Sequence, residues 1–165
     1  MIIFRHASMK DLQLLKHWDK QPHVIESDPN DDWNWESELL YSPDWREMLI
    51  AEIDGRPLGF VQIIDPALEI SRYWGDIEAG YRAIDIWIGD ANDLGKGYGT
   101  VMMNLAIERC FSNPDVHTIL IDPLASNTNA HRFYEKLGFR FFEERTFGND
   151  HCHVYQLNRN EKINT

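Results

Sequence analysis

The feature that most constrains this chain is a run of alternating glycines between an apolar segment and a helix-like segment. The run is Leu94-Gly95-Lys96-Gly97-Tyr98-Gly99-Thr100, and it is called the glycine loop below. The strand-like segment 83–88 precedes it, and apolar residues recur at helical spacing behind it. Glycine adopts positive φ easily and lets the backbone approach a ligand closely. The unpaired N–H groups of a first helical turn attract anions. The sequence therefore predicts a cradle for a pyrophosphate.

The spacing of the glycine loop excludes two common phosphate-binding loops. The nucleoside-triphosphatase loop has its lysine after the last glycine, followed by Ser or Thr, whereas Lys96 lies between glycines. The dinucleotide fingerprint has the spacing G-x-G-x-x-G, whereas this loop reads G-x-G-x-G in the middle of the chain. On the loop alone, a helix entry with only a packing role stays open.

A second motif follows one predicted strand later. Residues 118–121 read as a short buried strand, and the run S-N-x-x-A-x-x-F-Y-E-K-L-G-F follows from Ser126 to Phe139. Together with L-G-K-G-Y-G-T, this motif resembles the acetyl-CoA-dependent N-acetyltransferases of the GNAT superfamily over about residues 80–157.

A more particular resemblance is to the aminoglycoside 6′-N-acetyltransferases. It rests on Ile84-Asp85, on the run 113–116 and on Asp122-Pro123. One position departs from the superfamily, which often has Gln or Arg where this chain has Leu94. Cofactor binding is still expected, because relatives of the aminoglycoside type tolerate Leu at this position. The resemblance therefore points to a particular substrate subgroup of the superfamily.

The order of predicted elements suits an α/β fold with one mixed sheet and helices on both faces. We expect strands over 2–6, 48–53, 58–64 and up to Ile88, helices from about Gly97 to Phe111 and 127–136, and final strands over 139–146 and 152–157. Ser8 and Asp11 indicate a helix start, and Pro22 is expected to end that helix. The segment Asp54-Gly55-Arg56-Pro57 predicts a hairpin turn.

The resemblance implies a GNAT-like, mostly antiparallel sheet that splays open beside the cofactor strand. Ile86, Trp87 and Ile88 would offer backbone groups there to the pantetheine arm of acetyl-CoA. We expect one domain over 1–165, with an acceptor-side half over about 1–80, a cofactor half over about 81–157 and a tail over 158–165.

The resemblance also assigns cofactor contacts outside the strand. Gly95, Lys96, Gly97, Tyr98, Gly99 and Thr100 would hold the pyrophosphate, mainly through backbone N–H groups. Lys96 either adds a positive charge or is an ordinary solvated residue. Asn127 would hydrogen-bond the pantetheine amides. It could instead cap the helix that begins there, or do both.

Two residues are candidates for the proton transfers of acetylation. Asp85 would take a proton from the acceptor amine, as a carboxylate at the matching position does in the aminoglycoside-type relatives; a structural salt bridge to Arg82 is the alternative. Tyr134 would protonate the departing thiolate, as a tyrosine there often does in the superfamily; an aromatic of the core is the alternative.

The acceptor is expected to be a cationic small molecule. The net charge of −11 argues against nucleic acid and against an anionic membrane surface. Acidic residues crowd 19–54 and 65–93, either for solubility or to steer a polycation. The candidate acceptor contacts are three aromatic and two acidic residues: Trp33, Tyr73, Trp74, Glu78 and Asp85.

No metal site is expected. In His151-Cys152-His153 the cysteine side chain points away from the histidines if the segment is a strand. Cys110 and Cys152 lack metal spacing and are expected to be buried thiols. The chain shows neither an apolar span nor a leader-like segment, so a cytoplasmic protein is expected. Monomer and homodimer both stay open.

The sequence thus predicts an N-acetyltransferase that moves an acetyl group from acetyl-CoA to a primary amine, best the 6′-amine of an aminoglycoside antibiotic. The alternatives are another amine or hydroxylamine acceptor, such as a polyamine, a siderophore precursor or a protein N-terminus, and a cofactor-binding module without catalysis.

Overall fold

A computed structural model describes residues 1–161 of the chain. Its strands are β1 (Ile2–His6), β2 (Arg46–Ile53), β3 (Arg56–Ile64), β4 (Tyr81–Ile88), β5 (Thr118–Ile121), β6 (Arg140–Phe147) and β7 (Asp150–Asn158). Its α-helices are α1 (Leu12–Trp18), α2 (Pro22–Ser27), α3 (Trp35–Glu38), α4 (Tyr98–Phe111) and α5 (Thr128–Lys136). The strands form one sheet in the order β1-β2-β3-β4-β5-β7-β6.

The sheet is mostly antiparallel and opens between β4 and β5. These two strands are parallel and pair only where Tyr81–Ala83 faces Thr118–Leu120. Strand β4 continues to Ile88 along β3, so its second half has no strand neighbour on the β5 side. The predicted splayed sheet is confirmed, and the opening is where the candidate site lies.

Helices cover both faces of the sheet. On one face α4 buries Met102, Met103 and Ile107 against Leu49 and Val61, all fully or almost fully buried. On the other face the alternate residues Ile50 and Phe60 pack with Leu15, Trp18 and Trp35 from the N-terminal helices. Burial of each such side chain stabilises the fold by roughly 1.5–3 kcal/mol.

The N-terminal helices follow local capping signals, with one correction. The Ser8 side chain accepts a hydrogen bond from the Lys10 N–H, and the Asp11 carboxylate accepts one from the Ser8 N–H. The prediction for Pro22 was wrong, because α1 ends at Trp18 and Pro22 is the first residue of α2. Proline suits that position, since a first helical residue needs no N–H partner.

The β2–β3 hairpin has a two-residue turn. Asp54 and Gly55 have φ values of 51° and 84°, as the mirror-image turns favoured in hairpins require. Arg56 and Pro57, which the sequence placed in the turn, already belong to β3.

The segment predicted as a tail begins inside the fold. Asn158 ends β7, the Arg159 N–H donates to the His117 carbonyl, and the Arg159 guanidinium donates to the Phe111 carbonyl at 3.0 Å. The remainder of that segment, 162–165, lies outside the described residues. Within 1–161 no helix has the length and apolar character that crossing a membrane demands.

Candidate active site

A cleft of about 1310 Å³ lies where β4 and β5 diverge. One wall consists of the second half of β4 and the glycine loop, and the opposite wall of residues 121–124 and α5. The loop 27–33 and the segment 69–74 line its remaining sides. The cleft thus joins the cofactor half of the chain to the acidic N-terminal half.

The glycine loop presents free backbone donors to this cleft. Gly95 and Gly97 have φ values of 73° and 82°, and Gly97 is the N-cap of α4 without any side-chain cap. Within the described chain, no backbone acceptor pairs with the N–H groups of 95–100. A Cβ at Gly95 or Gly97 would meet no atom within 4 Å. Packing therefore does not explain these glycines, whereas their positive φ does. The resulting loop leaves N–H groups free at a helix N-terminus, an arrangement that suits an anion.

The other predicted cofactor contacts near this loop differ in position. Asn127 lines the cleft and its Oδ1 accepts a hydrogen bond from the Ala130 N–H at 3.2 Å, so it caps α5. Gly99 faces Phe133, with 3.6 Å between a Cβ placed there and the ring. Lys96 is exposed and does not line the cleft.

The open side of β4 exposes the backbone of alternate residues. The Gly89 N–H donates to the Leu58 carbonyl at 3.0 Å, so residues 85, 87 and 89 direct their backbone groups towards β3. The backbone N–H and C=O groups of Ile86 and Ile88 therefore point into the opening. Those of Trp87 point towards β3, contrary to the sequence prediction. His23 Nε2 lies 2.7 Å from the Ile88 carbonyl oxygen and ties α2 to this edge.

The carboxylate of Asp85 faces the cleft from the middle of β4. Its Oδ2 accepts a hydrogen bond from Gln62 Nε2 at 2.8 Å. Burial and the negative charge of Asp31 raise its pKa to about 6, although the Gln62 hydrogen bond opposes the shift. Arg82 pairs instead with Asp65 at 3.2 Å, so the alternative of an Arg82–Asp85 salt bridge is not realised.

The Tyr134 hydroxyl is available for proton transfer. Tyr134 lines the cleft, and among residues 1–161 no side chain or backbone group hydrogen-bonds its hydroxyl. Its ring packs edge-on against Phe133 and Phe139, so it also contributes to the core. Burial, together with the negative charges of Asp85 and Asp122, raises its pKa, and the hydroxyl therefore stays protonated at neutral pH.

Nine other carboxylates line the cleft with Asp85, and four of them interact by charge with Asp85 or with one another: Asp28, Asp31, Asp122 and Asp150. None of the five pairs with a lysine or arginine of the described chain. Burial and the charges of its neighbours raise the pKa of Asp122 to about 8, although Tyr73 donates a hydrogen bond to it. We call these five residues the acidic cluster.

The acidic cluster extends across the cleft. The Asp31 N–H donates to the Asp28 carbonyl at 3.4 Å, and burial and the Asp31 charge raise the pKa of Asp28 to about 8. Asn30 Nδ2 donates to Asp150 Oδ1 at 2.6 Å and links their loop to β7. An acceptor with several ammonium groups would supply the positive charge that this region lacks.

The predicted acceptor contacts are placed in two different regions. Trp33, Tyr73 and Trp74 line the cleft. Glu78 does not, because Trp74 packs inward against Phe147 and the chain turns at Gly75, which leaves Glu78 on the outer surface. There it lines a separate cavity of about 250 Å³.

Nothing in the part of the chain that is described forms a metal site with three or more His, Cys, Asp or Glu ligands. His151 and His153 each lie 3.4 Å from the Glu144 carboxylate. Cys152 is buried, and burial raises the pKa of its thiol to about 12.

Comparison with known proteins agrees with this geometry. Residues 7–147 match the family described as "Acetyltransferase (GNAT) domain". The chain belongs to the GNAT acetyltransferase family.

Named relatives of this acetyltransferase act on amines. It is 30% identical over 152 residues to an aminoglycoside N(6′)-acetyltransferase type 1 of Klebsiella pneumoniae, covering 84% of this chain and 73% of the relative. It is 28% identical over 167 residues to the lysine N-acyltransferase MbtK of Mycolicibacterium paratuberculosis, covering 93% and 72%. Its structure superposes on aminoglycoside acetyltransferase AAC(6′)-Ib in complex with coenzyme A and kanamycin, with a TM-score of 0.86, 26% identity and coverage of 98% and 96%.

Asp122, Gln62 and Asp150 lie in the cleft of this GNAT acetyltransferase, and none of them was among the predicted site residues. Asp122 follows a buried strand directly, which is a usable signal. Gln62 is the polar exception in the buried run 58–64 of β3, which is a weaker one. Asp150 begins β7 after a hairpin turn, and nothing in the local sequence indicates that it reaches the cleft.

Proposed function

We propose that this GNAT enzyme transfers the acetyl group of acetyl-CoA to a primary amine of a cationic small molecule, best the 6′-amine of an aminoglycoside. The observation that carries the proposal is the acidic cluster, because it surrounds a candidate base without any paired lysine or arginine. Polycationic amines satisfy such a site, and the similarity to aminoglycoside N(6′)-acetyltransferases supports this choice.

In the proposed complex the chain holds the thioester substrate at two places. The free N–H groups of the glycine loop bind the diphosphate, and each helix-end interaction contributes about 0.3–2 kcal/mol. The backbone groups of Ile86 on the open side of β4 hydrogen-bond the pantetheine arm, with Asn127 on the opposite wall. This arrangement directs the thioester towards Asp85 and Tyr134.

Asp85 is the proposed base. Its carboxylate takes a proton from the acceptor ammonium, and the freed amine attacks the thioester carbonyl carbon. A new C–N bond forms and the C–S bond breaks in the collapse of the tetrahedral intermediate. A carboxylate with a pKa of about 6 is ionised at neutral pH. Because this pKa lies near the working pH, the carboxylate can also accept a proton.

Tyr134 is the proposed acid. Its hydroxyl gives a proton to the departing thiolate, and the second proton released by the nitrogen restores the hydroxyl. Asp85 then returns its proton to solvent. The overall reaction therefore yields the acetamide and the free thiol and releases one proton.

The cleft disfavours amino-acid acceptors among the alternatives. Arg46 is the one lysine or arginine of the described chain that lines it. Its guanidinium already donates to Glu38 at 2.7 Å and to the Tyr41 carbonyl at 2.8 Å. The carboxylate of a lysine-like acceptor would therefore lack a partner. A polyamine, which has charge without a carboxylate, is the alternative that the acidic cluster also supports.

A thiol-release assay with acetyl-CoA and an amine panel tests the proposal. We expect turnover with kanamycin, weaker turnover with spermidine and none with lysine. Turnover with lysine but not with kanamycin would contradict the proposed acceptor. We also propose a cytoplasmic location, with which two free, buried cysteines agree.

A further inference from the structure

Gln62 is a buried polar residue in the middle of an apolar strand. It is 8% exposed, and its neighbours Val61 and Ile63 on β3 are also buried. A polar side chain in such a position costs stability unless it is hydrogen-bonded. Gln62 is therefore expected to have a hydrogen-bond partner.

That partner is Asp85. The two residues face each other directly across the β3–β4 pair, and Gln62 Nε2 donates to Asp85 Oδ2 at 2.8 Å. A carboxylate only accepts hydrogen bonds, so the NH₂ group of the amide must face it. Within the described chain Gln62 is the one residue that donates a hydrogen bond to the Asp85 side chain.

The same contact distinguishes the two oxygen atoms of Asp85. Oδ2 is occupied by the amide, whereas Oδ1 has no hydrogen-bond donor from residues 1–161. The cleft-lining side chain can therefore offer Oδ1 to a ligand. Oδ1 is the atom on which an acceptor ammonium would leave its proton.

The surroundings of Asp85 otherwise oppose its charge. Negative or acidic groups interact with it from four neighbouring segments: Asp28 and Asp31 from the loop 27–33, Tyr73 from the segment 69–74, Asp122 after β5 and Tyr134 on α5. Gln62 is the group in this environment that favours the ionised carboxylate.

We propose that Gln62 is a positioning residue of the proposed acetyl transfer, which holds Oδ2 of Asp85 so that Oδ1 stays ionised and faces the acceptor nitrogen. The inference rests on the proposed function. Gln62 takes up no proton itself, because Oδ2 continues to accept its hydrogen bond after Oδ1 is protonated.

Two variants of Gln62 separate this role from a structural one. Gln62→Met keeps the length of the side chain and removes the donor. We expect the acid limb of the pH profile of kcat/KM for kanamycin to move up by about 1–2 pH units, because a hydrogen bond to a charged group is lost. Gln62→Glu keeps the shape of the side chain and places a second carboxyl group beside Asp85. The acid limb of this variant should therefore move to still higher pH. Coenzyme A affinity should stay unchanged in both.

High pH provides the discriminating readout. Above its shifted limb, each variant should recover kcat/KM to within a few-fold of the wild type. A uniform loss of activity at every pH, with the limb in its original place, would overturn the proposal. Gln13→Met, an exposed change on α1, is the matched control and should leave the profile unchanged.

An NMR titration of the Asp85 carboxyl group needs no substrate turnover, so its result does not depend on the proposed function. The Asp85 carboxyl resonance of protein labelled with ¹³C-aspartate, assigned with Asp85→Asn, should titrate at higher pH in Gln62→Met than in the wild type. An equal midpoint in both would refute the proposal. A wild type inactive on every amine would instead refute the proposed function and leave this titration interpretable.

Discussion

Asp85 occupies a position that folding alone does not favour. It alternates with apolar residues on β4, shares the cleft with the other four members of the acidic cluster and has no cationic partner in the described chain. Charged groups in such surroundings lower stability unless they are paired. Its retention as a free carboxylate is therefore best explained by its chemistry.

Replacing this carboxylate should abolish most of the activity. We expect Asp85→Asn to lower kcat by roughly 10²–10⁴-fold, because an amide cannot accept the ammonium proton. The glycine loop is untouched, so coenzyme A affinity measured by calorimetry should stay within a factor of about two. Near-normal turnover in this variant would remove Asp85 from the mechanism.

The pH dependence of the wild type follows from the same group. A base acts only when deprotonated, so kcat/KM for the acceptor should rise with pH through about 6, the pKa of Asp85, and then level off. Initial rates across this range, at saturating acetyl-CoA, provide the measurement. A rate that is constant through this interval is inconsistent with Asp85 as the base.

Tyr134 can be separated from its packing role by one substitution. Tyr134→Phe keeps the ring contacts with Phe133 and Phe139 and deletes the hydroxyl. We expect unchanged melting behaviour and a turnover lower by roughly 10²-fold, since the thiolate loses its acid. Activity equal to that of the wild type would reduce Tyr134 to an aromatic residue of the core.

The sequence predicted Asp85 and Tyr134 because both lie within motifs. Gln62 and Asp150 were missed for a physical reason: their positions depend on pairing between strands that are distant in sequence. Gln62 meets Asp85 through the β3–β4 register, and a shift of one residue would turn its side chain to the other face. No local pattern encodes such a register.

At the scale of secondary structure, the turn from β4 into α4 creates the proposed anion site. Gly97 adopts φ 82° there, and an L-residue in that conformation is strained by about 1–2 kcal/mol. We expect Gly97→Ala to destabilise the fold modestly and to weaken coenzyme A binding about tenfold, because the helix-end donors lose their alignment.

Gly148 offers the matched control for this substitution. It has φ 57° in the β6–β7 turn and open space around a Cβ, but it does not line the cleft. Gly148→Ala should therefore cost similar stability and leave coenzyme A affinity unchanged. Equal affinity losses in both variants would show a general effect of destabilisation, with no special role for the glycine loop.

The longer elements were predictable, whereas the two short helices were not. The glycine loop, α4, α5 and the strands of the sheet match their patterns to within a few residues. Helices α2 and α3 contain six and four residues, which is too short for helical periodicity to show. Their positions depend on packing, such as that of Trp35 against Phe60.

At the scale of the whole molecule, the acidic cluster should make stability depend on pH. The pKa values of Asp85, Asp28 and Asp122 lie at about 6, 8 and 8, above the ordinary value of about 4 for Asp. The folded state therefore binds more protons than the unfolded state in this range, and stability falls as pH rises. Asp11 and Asp93, whose pKa values are lowered by Arg5 and Arg56 respectively, affect stability only at lower pH.

Thermal melting of the ligand-free protein measures this linkage. We expect Tm to fall between pH 5 and pH 8, and we expect Asp122→Asn to reduce the fall, because the neutral amide never ionises. Kanamycin should raise Tm most at the upper end of the range. A Tm that increases with pH across this interval would contradict the picture of an unpaired acidic cluster.

The identity of the reaction product tests the proposed acetyl transfer. Purified enzyme is incubated with acetyl-CoA and kanamycin, and NMR spectroscopy of the product locates the new acetyl group. We expect one acetyl group, on the nitrogen of the 6′-amine, with one equivalent of free thiol. Intact kanamycin after prolonged incubation with protein shown to be folded, or acetylation at a different amine, would contradict this expectation.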